Sequence, residues 1–239
     1  MMRYDEKTTR FVYKTLLKAY GSQGWWPLLY RREKPGFDQD GYHPKNEQQR
    51  FEIILGAILT QNTSWKNVEK SMRLLQEKEL LSLEKLDKVP LKRLATLIKS
   101  SGYFNQKAKK IQAMIRFLKS KQPTTRENLL SIWGVGPETA DSILLYAYRQ
   151  PIFVIDAYTK RIFSRIGLCK DDVRYEELQQ MFHKGLENNS PLFNEYHALI
   201  VEHAKRYCKT QPICEGCPLI SMCQYGKETL YRKNSQTII

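Results

Sequence analysis

The chain has 239 residues, of which 41% are hydrophobic, and it carries 39 lysines and arginines against 25 aspartates and glutamates. This length and apolar content can bury a substantial core, as one large domain or two small ones. The formal net charge of +14 favours a polyanionic partner, and the phosphate backbone of nucleic acid is the most common polyanion in cells. No apolar run approaches the length of a membrane span, and no charged-then-apolar leader opens the chain. We therefore expect a cytoplasmic protein with no membrane partner, associated with the nucleoid if the source is a prokaryote.

Apolar residues recur at helical steps along almost the whole chain, and strand-like alternation is nearly absent. In 107–119, for example, Ala108, Ile111, Ile115 and Leu118 lie on one helical face. The sequence therefore predicts an all-α fold. The other predicted helices span 7–20, 46–61, 65–80, 91–101, 137–150, 157–167, 173–188 and 191–207.

Three further features concern the ends of these elements. Thr124 and Glu127 form a capping-box pattern that predicts a helix opening at about residue 125. The stretch 31–46 is rich in proline and glycine, which predicts a surface loop. The tail after Tyr225 is polar, and we expect it to be frayed.

A Gly-Val-Gly turn joins two predicted helices within residues 130–149. The first helix ends at Trp133, and the second opens with Pro137 at its first position. Two glycines allow the backbone to approach a phosphate, and the N–H groups of the turn with the positive end of the next helix form an anion site. A Gly-x-Gly on its own is often only a tight turn. Here the full pattern at 134–140 is Gly-Val-Gly-x-x-Thr-Ala, which is typical of a helix–hairpin–helix.

Four of the five cysteines lie in one array, Cys208-x5-Cys214-x2-Cys217-x5-Cys223. Thiolates this crowded repel one another unless a cation lies among them, which indicates a metal site. Zinc sites usually have two separated C-x2-C pairs, whereas this array has one pair followed by Pro218. The unequal steps favour the larger [4Fe–4S] cluster. Zinc and a disulfide framework remain the alternatives.

The hairpin resembles that of the endonuclease III superfamily of DNA glycosylases, and the resemblance continues in register along the chain. Val154-Ile155-Asp156 is similar to the family segment that carries the essential aspartate. Residues 59–62 are similar to the helix whose glutamine enters the duplex. The cysteine array is similar to the family's cluster loop, usually Cys-x6-Cys-x2-Cys-x5-Cys, although its first step is one residue shorter here. These motifs cover the chain from about residue 50 to residue 223.

The resemblance implies a two-lobed fold and a set of site residues. Residues 25–150 would form a central helical domain that contains the hairpin. Residues 1–24 and 151–239 would form a second helical lobe with the cluster loop at 208–223. The implied site comprises a catalytic carboxylate, a glutamine that fills the space left by the flipped base, a DNA-binding hairpin and the ligands of a [4Fe–4S] cluster: Asp156; Gln61; Gly134, Val135, Gly136 and Thr139; and Cys208, Cys214, Cys217 and Cys223.

Tryptophans bear on the choice of substrate. Trp25-Trp26-Pro27, the 61–65 segment ending at Trp65, and residues 101–109 resemble the 3-methyladenine DNA glycosylase III subfamily, in which aromatics of the first two segments line the base pocket. Methylation at N3 or N7 makes a purine cationic and strengthens its stacking on aromatic rings. The resemblance therefore implies an alkylated purine as the substrate. Ordinary core packing is the alternative role for these tryptophans.

Glu138 occupies the position at which bifunctional family members carry a lysine, two residues after the second glycine of the hairpin. Since a carboxylate cannot form a Schiff base, the resemblance implies a monofunctional glycosylase without lyase activity. It also implies a monomer that acts on double-stranded DNA containing a damaged base. Another lysine could still supply lyase activity. The competing hypotheses are an endonuclease III-like bifunctional or mismatch glycosylase, and a non-catalytic, cluster-bearing DNA-binding protein.

Overall fold

The computed structural model describes residues 6–29 and 44–236, and every regular element within these ranges is helical, which confirms the all-α prediction. The chain divides into two compact units, one formed by Trp26–Gln150 and the other by the chain up to Trp25 together with the chain from Pro151 onward. Within the described ranges, no helix combines the length and apolarity that a membrane crossing requires. The α-helices are α1 (Glu6–Tyr20), α2 (Glu47–Leu59), α3 (Trp65–Glu77), α4 (Leu83–Asp87), α5 (Leu91–Leu97), α6 (Phe104–Lys119), α7 (Arg126–Leu130), α8 (Pro137–Ser142), α9 (Ala157–Ile166), α10 (Tyr175–Gly185), α11 (Ser190–Arg206) and α12 (Gln224–Gln236).

Helix α2 is the central element of the 26–150 unit. The side chain of Asn46 accepts a hydrogen bond from the N–H of Gln49 and caps its N-terminus. Every residue from Phe51 to Leu59 is buried, so α2 is surrounded by the rest of its unit. The last carbonyl of the helix, that of Leu59, accepts a hydrogen bond of 2.8 Å from the buried Lys107 ammonium. The chain therefore leaves α2 from a fixed end.

The hairpin is built from α7 and α8, with two differences from the predicted elements. Thr125, not Thr124, caps α7, because its extended backbone points its hydroxyl at the N–H of Asn128. The predicted helix over 137–150 is confirmed as far as Tyr148, but it is not α-helical throughout. Helix α8 changes into a buried π-helical turn at Ile143–Ala147. Such turns accommodate one extra residue, and they often occur near functional sites.

Aromatic side chains form the core of the unit that contains α1 and α9–α12. Phe153 and Phe182 stack with ring centroids 3.7 Å apart, and Phe193 meets Phe153 edge to face at 5.4 Å. The buried Tyr196 of α11 donates its hydroxyl hydrogen to the carbonyl of Thr9 at 2.9 Å, which joins α11 to α1. The N-terminal helix is therefore an integral part of this unit, although the 125 residues of the other unit separate it in sequence from α9.

The C-terminal segment departs from the predicted frayed tail, because α12 extends to Gln236. Its first turn is anchored on the cysteine loop. The N–H of Gly226 donates to Cys223 Sγ at 3.3 Å, and the Arg165 guanidinium lies 5.0 Å from the centroid of the Tyr225 ring. The predicted loop at 31–46 lies outside the described residues except for 44–46.

Candidate functional site

The hairpin turn has the tight geometry that its glycines predict. Gly134 has a φ of +83°, which favours glycine, and a Cβ at this position would lie 2.6 Å from side-chain carbons of Lys110. Gly136 is the N-cap of α8, and no atom would obstruct a Cβ there. Between them, Val135 is buried, and its N–H donates to the carbonyl of Ile132 at 3.0 Å. Gly136 is therefore the open side of the turn.

Gln61 and Thr139 lie together beside this turn. The Gln61 amide nitrogen donates to the hydroxyl of Thr139 at 2.9 Å and to the carbonyl of Gly134 at 3.2 Å. Its amide oxygen accepts a hydrogen bond of 2.5 Å from the Lys110 ammonium. Thr139 is only 7% exposed, so its hydroxyl serves Gln61 and is not presented to solvent. The structure thus joins the predicted inserting residue to the predicted phosphate-binding turn.

The three predicted pocket tryptophans are divided between the two units. Trp26 and Trp65 meet edge to face at 5.3 Å in the 26–150 unit, and Trp26 also contacts Tyr146 at 5.2 Å. Trp26 is buried, whereas Trp65 is partly exposed. Trp25 belongs to the other unit, where the ammonium of Lys205 lies 5.7 Å from the centroid of its ring.

A buried carboxylate on α2 holds the chain next to Trp26. Glu52 is 1% exposed, and its Oε1 accepts a hydrogen bond of 2.6 Å from the N–H of Leu29. One turn later, Gly56 leaves room for Trp26, whose ring would lie 3.0 Å from a Cβ at that position. Burial raises the pKa of Glu52 to about 7 despite the hydrogen bond from Leu29. No spacing signal in the sequence pointed to this residue.

Asp156 is the N-cap of α9, as its position before Ala157 predicts. Its Oδ1 accepts hydrogen bonds from the backbone N–H of Thr159 at 2.7 Å and from the hydroxyl of the same residue at 2.8 Å. His197 on α11 approaches the other carboxylate oxygen, with Nε2 at 3.6 Å from Oδ2. Both side chains are largely buried, at 14% exposure for Asp156 and 8% for His197.

These neighbours decide the charge of Asp156. Burial acts to raise its pKa, but the charge of His197 and the two hydrogen bonds from Thr159 outweigh that effect. The pKa of Asp156 is therefore lowered, and the carboxylate is ionised at neutral pH. The sequence contains no signal for His197, because none of the histidines has a ligand-like partner nearby in the sequence. Only the packing of α11 against α9 brings it to the aspartate.

The four cysteines of the array line one cavity between α9, the end of α11 and the start of α12. Burial, which is the largest cause, and the charges of Cys208, Cys214 and Cys223 raise the pKa of the Cys217 thiol to about 11. The four thiols therefore lie close enough to interact. Among the described residues, no group of three histidine, cysteine or acidic side chains is tight enough to hold a single metal ion. Both zinc and a [4Fe–4S] cluster therefore remain predictions for these cysteines.

Polar groups surround these thiols. The Arg165 guanidinium donates to Cys208 Sγ at 3.4 Å and to the carbonyls of Lys209 and Thr210 at 2.6 and 2.8 Å. His203 Nε2 lies 3.8 Å from Cys217 Sγ. The guanidinium of Arg165 stabilises thiolate charge, so the surroundings as well as the cysteines fit an anionic metal–thiolate group.

Comparisons with known proteins show the family to which the chain belongs. The chain matches the HhH-GPD superfamily of base excision DNA repair proteins over residues 55–188. A protein of Methanocaldococcus jannaschii, named "Putative DNA repair glycosylase", is 40% identical over 225 residues, which cover 89% of this chain and 94% of that protein. Endonuclease III of Thermotoga maritima is 32% identical over 189 residues, which cover 76% of this chain and 87% of the relative.

Solved structures show the same fold. An endonuclease III–DNA covalent intermediate superposes with a TM-score of 0.77 at 22% identity and covers 95% of this chain and 99% of its own. The H. pylori 3-methyladenine DNA glycosylase bound to 1,N6-ethenoadenine superposes with a TM-score of 0.65 at 27% identity, covering 84% and 97%. The chain therefore belongs to the HhH-GPD superfamily of base excision DNA repair proteins, the endonuclease III superfamily of DNA glycosylases that its motifs resemble.

Proposed function

We propose that the protein is a monofunctional DNA glycosylase that releases alkylated purines, such as 3-methyladenine, from double-stranded DNA and leaves an abasic site. The observation that carries this proposal is the environment of Asp156, a buried carboxylate that Thr159 and His197 keep ionised. A carboxylate of this kind can stabilise positive charge on a deoxyribose. A protein that only binds DNA gains nothing from such a charge facing a polyanion.

The reaction needs the target nucleotide outside the base stack, because the glycosidic bond is out of reach within the duplex. Gln61 would fill the vacated space and contact the partner base. The bond between the base and C1′ then breaks, and the base leaves with the bonding electron pair. The Asp156 carboxylate stabilises the positive charge that develops on the sugar and orients a water molecule, which adds its oxygen to C1′ and releases a proton.

An alkylated purine suits both this chemistry and the aromatic residues. Its cationic ring departs as a neutral base, so it needs little protonation by an acid. Trp25, Trp26 and Trp65 are the proposed stacking residues, and a cation gains more than a neutral base from their faces. Support comes from the likeness to the H. pylori 3-methyladenine DNA glycosylase, at 27% identity over 84% of this chain.

Glu138 supports hydrolysis without strand cleavage. It lies in the first turn of α8 and is exposed, at the hairpin position where a lysine would be needed to form a Schiff base. The likeness to endonuclease III of Thermotoga maritima favours bifunctional chemistry as the second candidate, since another lysine could take that role. Borohydride trapping of enzyme on DNA separates the two, because only a Schiff base gives a covalent product.

We also propose that Cys208, Cys214, Cys217 and Cys223 hold a [4Fe–4S] cluster. When bound, the cluster would supply a rigid anchor for the loop and not a reacting group. The basic residues next to it, Lys205, Arg206 and Lys209, would then face the DNA backbone. The protein would act as a monomer on duplex DNA that contains a damaged base, and a cytoplasmic location fits that partner.

The test is single-turnover base release from duplexes that carry methylated purines, uracil, an oxidised pyrimidine or a mismatch. We expect release of 3-methyladenine or 7-methylguanine, and a fall of at least about a hundredfold in Asp156→Asn, the order expected when charge stabilisation is removed. Asp172→Asn is the matched control, because Asp172 is an exposed aspartate in the same unit. Release of another base alone would reject the alkylpurine substrate. No release from any duplex, with normal DNA binding by Asp156→Asn, would favour the non-catalytic hypothesis.

A further inference from the structure

Lys110 on α6 links the proposed inserting residue to the hairpin. Its ammonium donates to the Gln61 amide oxygen at 2.5 Å, while the amide nitrogen of Gln61 is bonded to Thr139 and to the carbonyl of Gly134. Both ends of the amide are therefore engaged. The orientation of Gln61 depends on α6 and on the hairpin at once.

The stem of Lys110 reaches Gln61 by crossing the turn. A Cβ at Gly134 would lie 2.6 Å from both Cγ and Cε of Lys110, so glycine is required there by this contact as well as by its positive φ. The ammonium therefore lies at the turn predicted to bind phosphate. Its only hydrogen-bond partner among residues 6–29 and 44–236 is Gln61, which leaves two of its three N–H groups for another acceptor.

A second lysine adds positive charge near Lys110, which favours the binding of an anion beside the hairpin turn. Lys107 is 2% exposed and donates to the carbonyls of Leu59 and Ser101 at 2.8 and 2.7 Å, which fixes the end of α2 two residues before Gln61. Burial and then the charge of Lys110 lower the pKa of Lys107 to about 8. A phosphate next to Lys110 would relieve this repulsion between like charges.

We propose that Lys110 is a positioning residue that binds a DNA backbone phosphate at the hairpin turn and holds Gln61 in the orientation from which it enters the duplex. The inference rests on the proposed function, because it takes Gln61 as the inserting residue. Lys110 gains a phosphate oxygen through its two remaining N–H groups while it keeps its bond to Gln61. Phosphate binding and base displacement are thereby connected through one side chain.

The test uses Lys110→Met, which retains most of the stem over Gly134 and removes the ammonium. Lys119→Met is the matched control, because Lys119 lies on the same helix and already pairs with Asp87 at 2.5 Å. For binding to undamaged duplex, we expect Lys110→Met to reduce the slope of log K against log salt by about 0.9, the value for one phosphate contact. Lys119→Met should leave the slope unchanged, and Lys110→Arg should retain it.

Coupling to Gln61 is measured with a double-mutant cycle. We expect Lys110→Met to lower the single-turnover rate of base release about tenfold, as for one charge-assisted hydrogen bond. In a Gln61→Ala background the same change should lower it no more than about twofold. If the two substitutions instead multiply, or if Lys110→Met matches Lys119→Met in both assays, Lys110 is only a structural residue and the inference fails.

An assay that does not depend on base release separates failure of the Lys110 inference from failure of the glycosylase proposal. A duplex with 2-aminopurine opposite an abasic-site analogue reports on insertion next to the displaced base through its fluorescence. The increase in 2-aminopurine fluorescence on binding should be smaller in Lys110→Met and in Gln61→Ala than in the wild type. In the double variant it should be no smaller than in either single variant. This pattern supports the inference even if the wild type releases no base. Additive losses in this assay overturn the inference even if base release is normal.

Discussion

Glu52 should make the protein less stable at high pH, and Glu52→Gln should remove that dependence. The carboxyl group is 1% exposed, and burial raises its pKa from 4.5 to about 7 in the folded protein. In the unfolded chain it titrates near the ordinary glutamate value. Between these two pKa values the folded state binds a proton that the unfolded state does not, so the free energy of unfolding falls as the pH rises through this window.

The size of the effect follows from the two pKa values. Because Glu52 is almost fully buried, solvent screens its charge little, and the predicted change in stability needs no reduction for screening. A difference of about 2.5 pKa units corresponds to about 3.4 kcal/mol when fully developed, of which about 2.5 kcal/mol appears between pH 5 and pH 8. Glutamine retains the oxygen that accepts the N–H of Leu29 and has no charge to bury. Its buried amide hydrogens carry a cost of their own of about 1–3 kcal/mol, but that cost does not change with pH.

The measurement is urea unfolding of wild type and Glu52→Gln at pH 5, 6, 7 and 8, with the iron content of the samples matched. We expect the variant to gain about 2.5 kcal/mol on the wild type from pH 5 to pH 8, whatever the offset between them at pH 5. Glu77→Gln, an exposed glutamate in α3, is the control and should track the wild type. Parallel curves for wild type and Glu52→Gln would show that Glu52 is ionised in the fold, and the reasoning from burial would be wrong.

Three further predictions concern the site and the cluster. His197→Gln should raise the pKa of Asp156, because it removes an interaction that lowers it, so the acidic limb of the single-turnover pH profile should move to higher pH; an unmoved limb would exclude the role of His197. Trp65→Leu should weaken release of a cationic 7-methylguanine by about tenfold and release of a neutral base such as hypoxanthine less; an equal loss for both would indicate core packing. Cys214→Ser should reduce bound iron and the broad absorption near ~400 nm, as seen by iron analysis and spectroscopy, whereas Cys169→Ser should reduce neither; equal iron content in both would reject the proposed ligands.

Features with local causes could be predicted from the sequence. Helical periodicity predicted the all-α fold, and Asp156 is a helix N-cap because an aspartate before Ala157 favours that position. The positive φ of Gly134 follows in the same way from the Gly-Val-Gly turn. In each case the residues that decide the structure are near neighbours in the chain.

Features with distant causes could not be predicted. The π-helical turn at Ile143–Ala147 and the ordered helix after Tyr225 depend on packing against residues far away in the sequence. The same holds for the contact of His197 with Asp156 and for that of Lys110 with Gln61. Neither lysines on a helix nor histidines in an apolar stretch differ in sequence from those that only face solvent or fill a core.

Asp156 and Glu52 are both buried carboxylates, but their pKa values shift in opposite directions. Both Asp156 and Glu52 lose solvent, which alone would raise both pKa values. Asp156 receives two hydrogen bonds from Thr159 and faces His197, and its pKa is lowered. Glu52 receives one hydrogen bond, from Leu29, and its other oxygen has no hydrogen-bond partner, so its pKa is raised. The charge of His197 and the additional hydrogen bonds from Thr159 therefore separate the two carboxylates. Asp156, the residue proposed to meet a cationic sugar, is therefore ionised at neutral pH, whereas Glu52, which supports Trp26, is only partly ionised.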